Sequence, residues 1–284
     1  MLVIIILINL IANVVYWQYF SKVAVHSKNS SALTIILQMI AGIFVLIFIP
    51  FDEIKISISW KIWIMFIVAS VFYGINDRII TSIFKKLPTV EVSILKQLHL
   101  VFLIAIGLIV FREPFSIKKV IGAAIILICN FMLLYEKNNE KKQKNIKYII
   151  LGVIANISMA IALSIDIDIS KHFNLAIYTA LSLIIPALLI NLTHIKKITV
   201  LELKNEICNG KKELLIAATA LGIQLYTMLK AYQLGEILTI APMLTLSILV
   251  NVIYELLILK KKDRIAIKFF ASILIFVAII LINS

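Results

Sequence analysis

The chain has 284 residues, of which 62% are hydrophobic and only 15% are charged, and its mean hydropathy is +1.06. A chain this apolar cannot keep its surface in water, so the composition excludes an ordinary soluble domain and predicts a membrane protein. The net charge of +13 would suggest nucleic-acid binding in a soluble protein. Here the cationic residues fall mostly between apolar segments, so we expect no nucleic-acid partner.

Ten apolar stretches follow one another along the chain. Each holds about 18–25 residues, enough for a helix to cross roughly 30 Å of hydrocarbon. Long Ile, Leu and Val runs without period-two alternation favour helices over the strands of a barrel. We therefore predict an all-α integral membrane protein with ten transmembrane helices. The predicted spans are 2–20, 31–49, 60–84, 89–111, 117–135, 146–165, 175–192, 214–234, 237–259 and 265–282.

The connections between the spans are short, the longest being 136–145 and 193–213, so we expect no soluble domain. Nineteen Lys and Arg residues fall in or beside the odd-numbered connections and six in or beside the even-numbered ones. Because cytoplasmic connections carry the positive excess, this asymmetry predicts that both termini lie outside. No small-residue cleavage site follows the first stretch, so we expect it to be retained as a span rather than removed as a signal peptide. The bias towards Ile, Lys and Asn favours a bacterial cytoplasmic membrane.

The chain also carries a degenerate internal duplication. At an offset of about 150 residues, 111–122 lies over 261–272, and Arg112-Glu113-Pro114 corresponds to Lys262-Asp263-Arg264. Five spans in each half is an odd number, so the two halves must insert with opposite orientation. We predict two inverted five-helix repeats, 1–145 with its linker and 146–284, an architecture typical of transporters with a substrate site at the repeat interface.

These motifs resemble the EamA-type, ten-span members of the drug/metabolite transporter superfamily. In that family each repeat ends with a span, a short Gly-Glu-Arg-like loop and a Gly-containing last span. This pattern is similar to Phe111-Arg112-Glu113-Pro114 with Gly122, and the second copy retains Lys262-Asp263-Arg264 with Ser272. Lys22 lies where these proteins often carry a lysine. The resemblance implies a multi-pass transporter, usually drawn with its termini in the cytoplasm, opposite to the charge asymmetry.

Polar side chains inside the spans are the candidate site residues, because burying them unpaired in lipid is costly. Tyr73 and Asn76 fall on one face of the third span, and Tyr226 and Lys230 fall on one face of the eighth. The 150-residue offset places Tyr226 over Asn76, which predicts one central cavity between the halves. Lys96 and Glu255 are predicted to be deep, where they would pair with opposite charges or meet substrate or a proton. The predicted substrate-binding residues are Asn13, Tyr16, Tyr73, Asn76, Lys96, Gln97, Tyr226, Lys230, Asn251 and Glu255.

We predict a secondary transporter of a small organic metabolite, amino acid-like or otherwise polar, working by alternating access as a monomer or homodimer. A coupling proton is a further candidate partner. The alternatives are a flippase for a lipid-linked polar headgroup, or a membrane enzyme or assembly factor using Asp166 and Asp168, which the span boundaries place in a short loop. No Walker-type glycine loop and no catalytic or metal-ligand spacing is present in the sequence, so we expect no enzymatic activity, cofactor or metal.

Overall fold

A computed structural model describes residues 1–27, 29–56, 59–84, 95, 98–134, 146–193, 198–208, 210–247, 249–250, 254 and 265–283. Within these ranges the regular elements are all helical, which confirms the all-α class. The helices are α1 (Leu2–His26), α2 (Ser30–Val45), α3 (Trp60–Phe84), α4 (Leu98–Ile109), α5 (Ile117–Leu134), α6 (Ile146–Ile169), α7 (Leu175–Thr193), α8 (Val200–Cys208), α9 (Lys211–Leu234), α10 (Ile237–Leu244) and α11 (Ile265–Asn283). Short 3₁₀ turns, Leu46–Phe51 and Ser170–His172, follow α2 and α6.

Four stretches of the described chain are helical, long and apolar enough to cross a membrane. They are Leu2–Ala24, Ser31–Phe51, Lys147–His172 and Lys211–Leu234, and they coincide with predicted spans one, two, six and eight. Shorter apolar helices lie at Trp60–Asn76, Leu98–Ile109, Leu175–Leu189 and Phe270–Leu281, inside predicted spans three, four, seven and ten. The chain is a membrane protein with multiple apolar helices, and the count of ten stays a prediction.

Two features of the helices differ from the sequence-based assignment. Helix α8 lies inside 193–213, which was predicted to be a connection. It begins with a capping box, in which Thr199 N–H donates to Glu202 Oε2 at 2.6 Å and Glu202 N–H donates to Thr199 Oγ1 at 3.2 Å. The Thr199 N–H and the Asn29 amide lower the pKa of the Glu202 carboxyl below its usual value. The second difference is that α6 continues to Ile169, four residues beyond the predicted end of its span.

The helices form two compact units. Unit 1 consists of Met1–Gly74 and Ile165–Leu234, and unit 2 consists of Ile75–Ser164 and Gly235–Ser284. Each unit therefore contains segments from both predicted repeats. The division into repeats at residues 1–145 and 146–284 concerns the duplication of the sequence and stays a prediction.

Close helix packing holds unit 1 together. Helix α1 packs along α9, and α2 packs against both α7 and α9. Glycines allow the approach to α2 on both sides: a Cβ at Gly42 would lie 2.7 Å from Ile184 Cγ1 of α7, and a Cβ at Gly222 of α9 would lie 2.7 Å from Val45 Cγ2. Small residues at such contacts are the usual means of helix association in membranes, where lipid removes the hydrophobic driving force.

Unit 2 contains the loop whose motif suggested the family. Helix α5 packs along α11, and α10 packs against α4 and α5. The Glu113 carboxylate accepts hydrogen bonds from Ile237 N–H at 2.6 Å and Leu238 N–H at 3.0 Å, the first backbone groups of α10. The side chain of Glu236, at the N-cap position of α10, makes no capping bond. Glu113 therefore supplies from another segment the cap that α10 lacks locally.

Candidate functional site

The site is built on a fully buried asparagine at the start of α7. Asn174 Nδ2 donates to the backbone oxygens of Ile49, Asp52 and Glu53 at 3.0–3.3 Å. Its Oδ1 accepts from Ile177 N–H at 3.2 Å, in the first turn of α7. One amide side chain thus forms hydrogen bonds with backbone groups of two segments, the connection after α2 and the first turn of α7. These bonds hold the two segments together.

This arrangement positions Asp52 against α9. Lys230 Nζ donates to Asp52 Oδ1 in an ion pair, and the Tyr226 hydroxyl donates to Asp52 Oδ2 at 2.5 Å. The Asp52 side chain is 8% exposed and that of Lys230 is 21% exposed. Tyr226 also stacks on Phe48, with ring centroids 4.9 Å apart. The carboxylate has a partner on each oxygen, as a largely buried charge requires.

A pocket of about 310 Å³ opens beside this cluster within unit 1. Its volume is at the small end of the range for ligand sites, so it suits a small solute rather than a lipid-sized one. The walls combine charged and apolar side chains, and they come from the connection after α2, the turn after α6 and the end of α9. The lining residues are Phe51, Asp52, Glu53, Lys55, Lys171, Phe173, Leu175, Lys230 and Gln233.

The charges around the pocket are of both signs, with three lysines against two carboxylates. At the exposed rim Lys55 pairs with Glu53, and the hydrogen bond and charge of Lys55 lower the pKa of the Glu53 carboxyl below its usual value. Lys171 is the remaining charge and is exposed. The pocket can therefore bind both an anionic and a cationic group, with a small excess of positive charge.

A second carboxylate of unit 1, Asp166, is buried among tyrosines. It is 4% exposed and accepts from the Tyr178 hydroxyl at 2.5 Å and the Tyr73 hydroxyl at 2.9 Å. The prediction that Asp166 and Asp168 are loop acids is wrong, because both lie in the last turn of α6. Asp168 is exposed while Asp166 is buried, so the two carboxylates do not form a joint metal site. Among the described residues, no group of three or more His, Cys, Asp and Glu side chains is placed to hold a metal ion.

The predicted substrate-binding residues have several different positions. Tyr226 and Lys230 meet at Asp52, and Lys230 lines the pocket. Tyr73 is bonded to Asp166, and Tyr16 packs against the apolar core of unit 1 beside Phe20. Asn13 is half-buried on α1.

The remaining predicted residues leave the central cavity untested. Asn76 is half-buried and belongs to unit 2, whereas Tyr226 belongs to unit 1, so their sharing of one cavity stays a prediction. Lys96, Gln97, Asn251 and Glu255 lie outside the described residues.

Asp52 is the main residue that the sequence-based reasoning missed. It comes directly after Pro50-Phe51, at the end of an apolar run, and there it looks like an ordinary acid at the surface. The available signal was Lys230, a lysine near the end of an apolar span that needs a counter-ion. Because α9 and α2 both end in even-numbered connections, Asp52 and Glu53 were among the acids on the same side of the membrane as the end of α9.

Comparisons with known proteins agree with this arrangement of helices. A solved structure, described only as a crystal structure of a protein, is similar with a TM-score of 0.75 over 98% of this chain and 95% of that chain. Its sequence is 13% identical, so the similarity shows the fold alone. No curated protein matches the chain by sequence. The model of the EamA-like transporter family matches residues 2–135. This match to a family of membrane transporters covers just under half of the chain, and it confirms the resemblance inferred from the sequence.

Proposed function

We propose that the chain is a secondary transporter that moves a small organic solute, amino acid-like or similarly polar, across the cytoplasmic membrane by alternating access. The observation that carries this proposal is the cluster of Asp52, Tyr226 and Lys230 beside a pocket of about 310 Å³, among apolar helices. Burying an ion pair among apolar helices is costly, and binding of a polar solute gives this pair a function.

The chemistry of the pocket suits a solute with charge of both signs or with an anionic group. In the bound state Lys230 can pair with an anionic group of the solute instead of Asp52, and Asp52 can pair with a cationic group. Binding then leaves neither charge unpaired. Phe51 and Phe173 supply apolar wall for the rest of the molecule. A solute that satisfies both charges would bind better than one that satisfies only one, because a lone buried charge is costly.

For the architecture we propose ten spans arranged as two inverted five-helix repeats, 1–145 and 146–284. Two asparagines 145 residues apart support the duplication. Asn29 Oδ1 accepts from Ser31 N–H and Ala32 N–H at the start of α2, as Asn174 Oδ1 accepts from Ile177 N–H at the start of α7. Their backbone N–H groups are also used alike, since each donates to the segment that follows the helix capped by the other asparagine: Asn29 to Glu206 Oε1, after α7, and Asn174 to Lys55 O, after α2.

The other elements of the proposal follow from the sequence. The protein would lie in a bacterial cytoplasmic membrane, as a monomer or homodimer, and would bind no nucleic acid and need no cofactor. Asn76, Lys96, Gln97, Asn251 and Glu255 stay predicted solute-binding residues on the sequence argument alone.

The test uses purified full-length protein in lipid vesicles loaded with a defined mixture of amino acids and small carboxylates. Mass spectrometry of the outside solution identifies any solute whose efflux depends on the protein. Asp52→Asn and Lys230→Met should each slow that efflux at least about tenfold, the effect of losing about 1.4 kcal/mol of interaction. Tyr226→Phe should have a smaller effect, because it removes one neutral donor.

Asp168→Asn is the matched control, because Asp168 is an exposed carboxylate of unit 1 that does not line the pocket. It should retain efflux close to wild type. The exchanged pair, Asp52→Lys with Lys230→Asp, distinguishes a role in solute binding from a role in folding: it should restore stability without restoring efflux. Wild-type efflux in Asp52→Asn and Lys230→Met would show that the cluster is not the site. Flux of lipid headgroups without solute flux would favour the flippase.

A further inference from the structure

Asp166 is a buried carboxylate of unit 1 that lies outside the Asp52 cluster. Tyr178 of α7 and Tyr73 of α3 each donate to one of its oxygens, at 2.5 and 2.9 Å. Among the described residues, no Lys, Arg or His forms an ion pair with it. On α6 itself, Asp168 is exposed, and Lys171 and His172 belong to the turn that follows.

The environment of Asp166 differs from that of Asp52 in its ionic partners: among the described residues, Asp166 has no ammonium partner, whereas Asp52 has Lys230. An ionised carboxylate that is buried without a counter-ion loses its hydration, and two neutral donors offset only part of that loss. Asp52 receives both a phenol and an ammonium group, which favours its charged form. From the part of the chain that the structure describes, Asp166 receives only the two phenols, which give its charged form less support.

The same two phenols can satisfy Asp166 with or without a proton. A tyrosine hydroxyl is both donor and acceptor. When Asp166 is charged, both hydroxyls donate to it, as observed. When it is protonated, its O–H can donate to one phenol oxygen while the other phenol still donates to the free carboxyl oxygen. Each oxygen of the trio thus has a hydrogen-bond partner within the trio in both states, and the phenol that accepts from protonated Asp166 turns its own hydrogen away from the carboxyl group.

Aromatic packing connects this trio to the pocket. The ring of Tyr178 packs against that of Phe173, with centroids 5.5 Å apart, and Phe173 lines the pocket. Trp63 packs edge-on against Phe173 at 5.3 Å. Two aromatic side chains, Tyr178 and Phe173, therefore separate the Asp166 carboxyl from the pocket. A change in the charge of Asp166 alters the hydrogen bond of the Tyr178 hydroxyl.

We propose that Asp166 is a proton-binding site of this protein and that its proton cycle is coupled to solute movement. The coupling rests on the proposed transport function; the proton site itself does not. In the binding step, a proton from water forms an O–H bond with a carboxyl oxygen of Asp166 and cancels its charge. Release is the reverse, with the proton returning to water, and no other reactant is needed.

The test titrates the full-length protein in lipid vesicles, with the proton as the only ligand. Infrared difference spectra between about pH 5 and about pH 9 span the range in which a buried carboxyl group titrates. Wild type should gain a protonated-carboxyl C=O band on acidification that Asp166→Asn lacks. Asp168→Asn, the matched control two residues along the same helix, should keep this band.

Two single-atom variants cover the case in which Asp166→Asn fails to fold. Tyr73→Phe and Tyr178→Phe each remove one hydroxyl from the trio, so each should shift the frequency of the Asp166 band. An undiminished band in Asp166→Asn, or no change in frequency in both tyrosine variants, would overturn the proposal.

Flux experiments separate this proposal from the proposed function. With the solute found by the mixture experiment, a gradient of about one pH unit should drive about tenfold accumulation in wild type. Asp166→Asn should lose that accumulation while retaining exchange of solute for solute. Accumulation in Asp166→Asn equal to wild type would overturn the coupling. If wild type moves no solute, the transport function fails, and the infrared titration still decides the proton site.

Discussion

At the scale of single residues, Glu113 connects two segments of unit 2. Its carboxylate lies on the first N–H groups of α10, where a negative charge also interacts favourably with the helix dipole. Its own N–H donates to Gly107 O at 3.2 Å, which ties the loop back to α4. The acidic residue of the family-like motif is therefore part of the structure of the loop and not of the polar cluster at Asp52.

We expect Glu113→Ala to lower the free energy of unfolding by about 1–3 kcal/mol, because two backbone donors lose a charged acceptor. The measurement is thermal unfolding of the purified protein in detergent. Glu113→Gln keeps an acceptor oxygen without the charge, so its loss should be smaller.

Arg112 provides the comparison within the same loop. Its φ of 53° lies in the left-handed region, which glycine adopts without strain. Arg112→Gly should therefore leave the unfolding temperature unchanged or raise it. If Arg112→Gly lowered the stability as much as Glu113→Ala does, substitutions anywhere in this loop would be destabilising. The loss in Glu113→Ala could then not be attributed to the missing cap of α10.

Candidate residues could be selected from the sequence only where polarity stood out against an apolar run. Tyr226 and Lys230 were selected in this way, and both contact Asp52 in the structure, while their role in solute binding stays a prediction. Asp52 and Asp166 lie at span ends, where acids are common, and their burial depends on partners far away in the chain. Lys230 is 178 residues from Asp52, and Tyr73 is 93 residues from Asp166.

At the scale of helices, α2 is packed between α7 and α9 in unit 1. The contact with α9 depends on Gly222, since a Cβ there would also lie 3.0 Å from the Ala41 carbonyl oxygen. A backbone oxygen and a β-branched side chain cannot move aside cheaply, so the two helices would have to separate.

We expect Gly222→Ala to lower the free energy of unfolding by about 1–3 kcal/mol through this overpacking. Gly74→Ala is the matched control in another helix, because a Cβ at Gly74 would have no described atom within 4 Å. There the better helix propensity of alanine should raise stability by up to about 1 kcal/mol. Thermal unfolding of both variants in one detergent gives the comparison, and equal effects would contradict the close contact.

The positions of most helices could be predicted from the sequence, because the length and apolarity of a membrane-crossing helix are local properties. Helix α8 could not be predicted from apolarity alone. It has nine residues, and its stability depends on the Thr199–Glu202 capping box and on packing of Ile198 and Leu203 beside α2. The end of α6 was missed because Asp166 and Asp168 interrupt its apolar run.

At the scale of the whole molecule, the orientation in the membrane follows from the distribution of charge. The positive excess in the odd-numbered connections predicts that these connections lie in the cytoplasm and both termini outside. A C-terminal alkaline phosphatase fusion should therefore be active, and a C-terminal green fluorescent protein fusion should be dark. The opposite pattern would support the orientation usual for the family and would place the pocket of unit 1 on the cytoplasmic side.

The composition of unit 1 has a consequence for biosynthesis. Helix α1 packs mainly along α9, which begins at Lys211, so the ribosome must synthesise about three-quarters of the chain before the first helix meets its main partner. Until then the amide of Asn9, which in the finished protein donates to Gln224 O and Thr227 Oγ1, has neither acceptor. The early helices must therefore be held in the membrane by lipid or by the insertion machinery, and unit 1 assembles only after most of the chain has been synthesised.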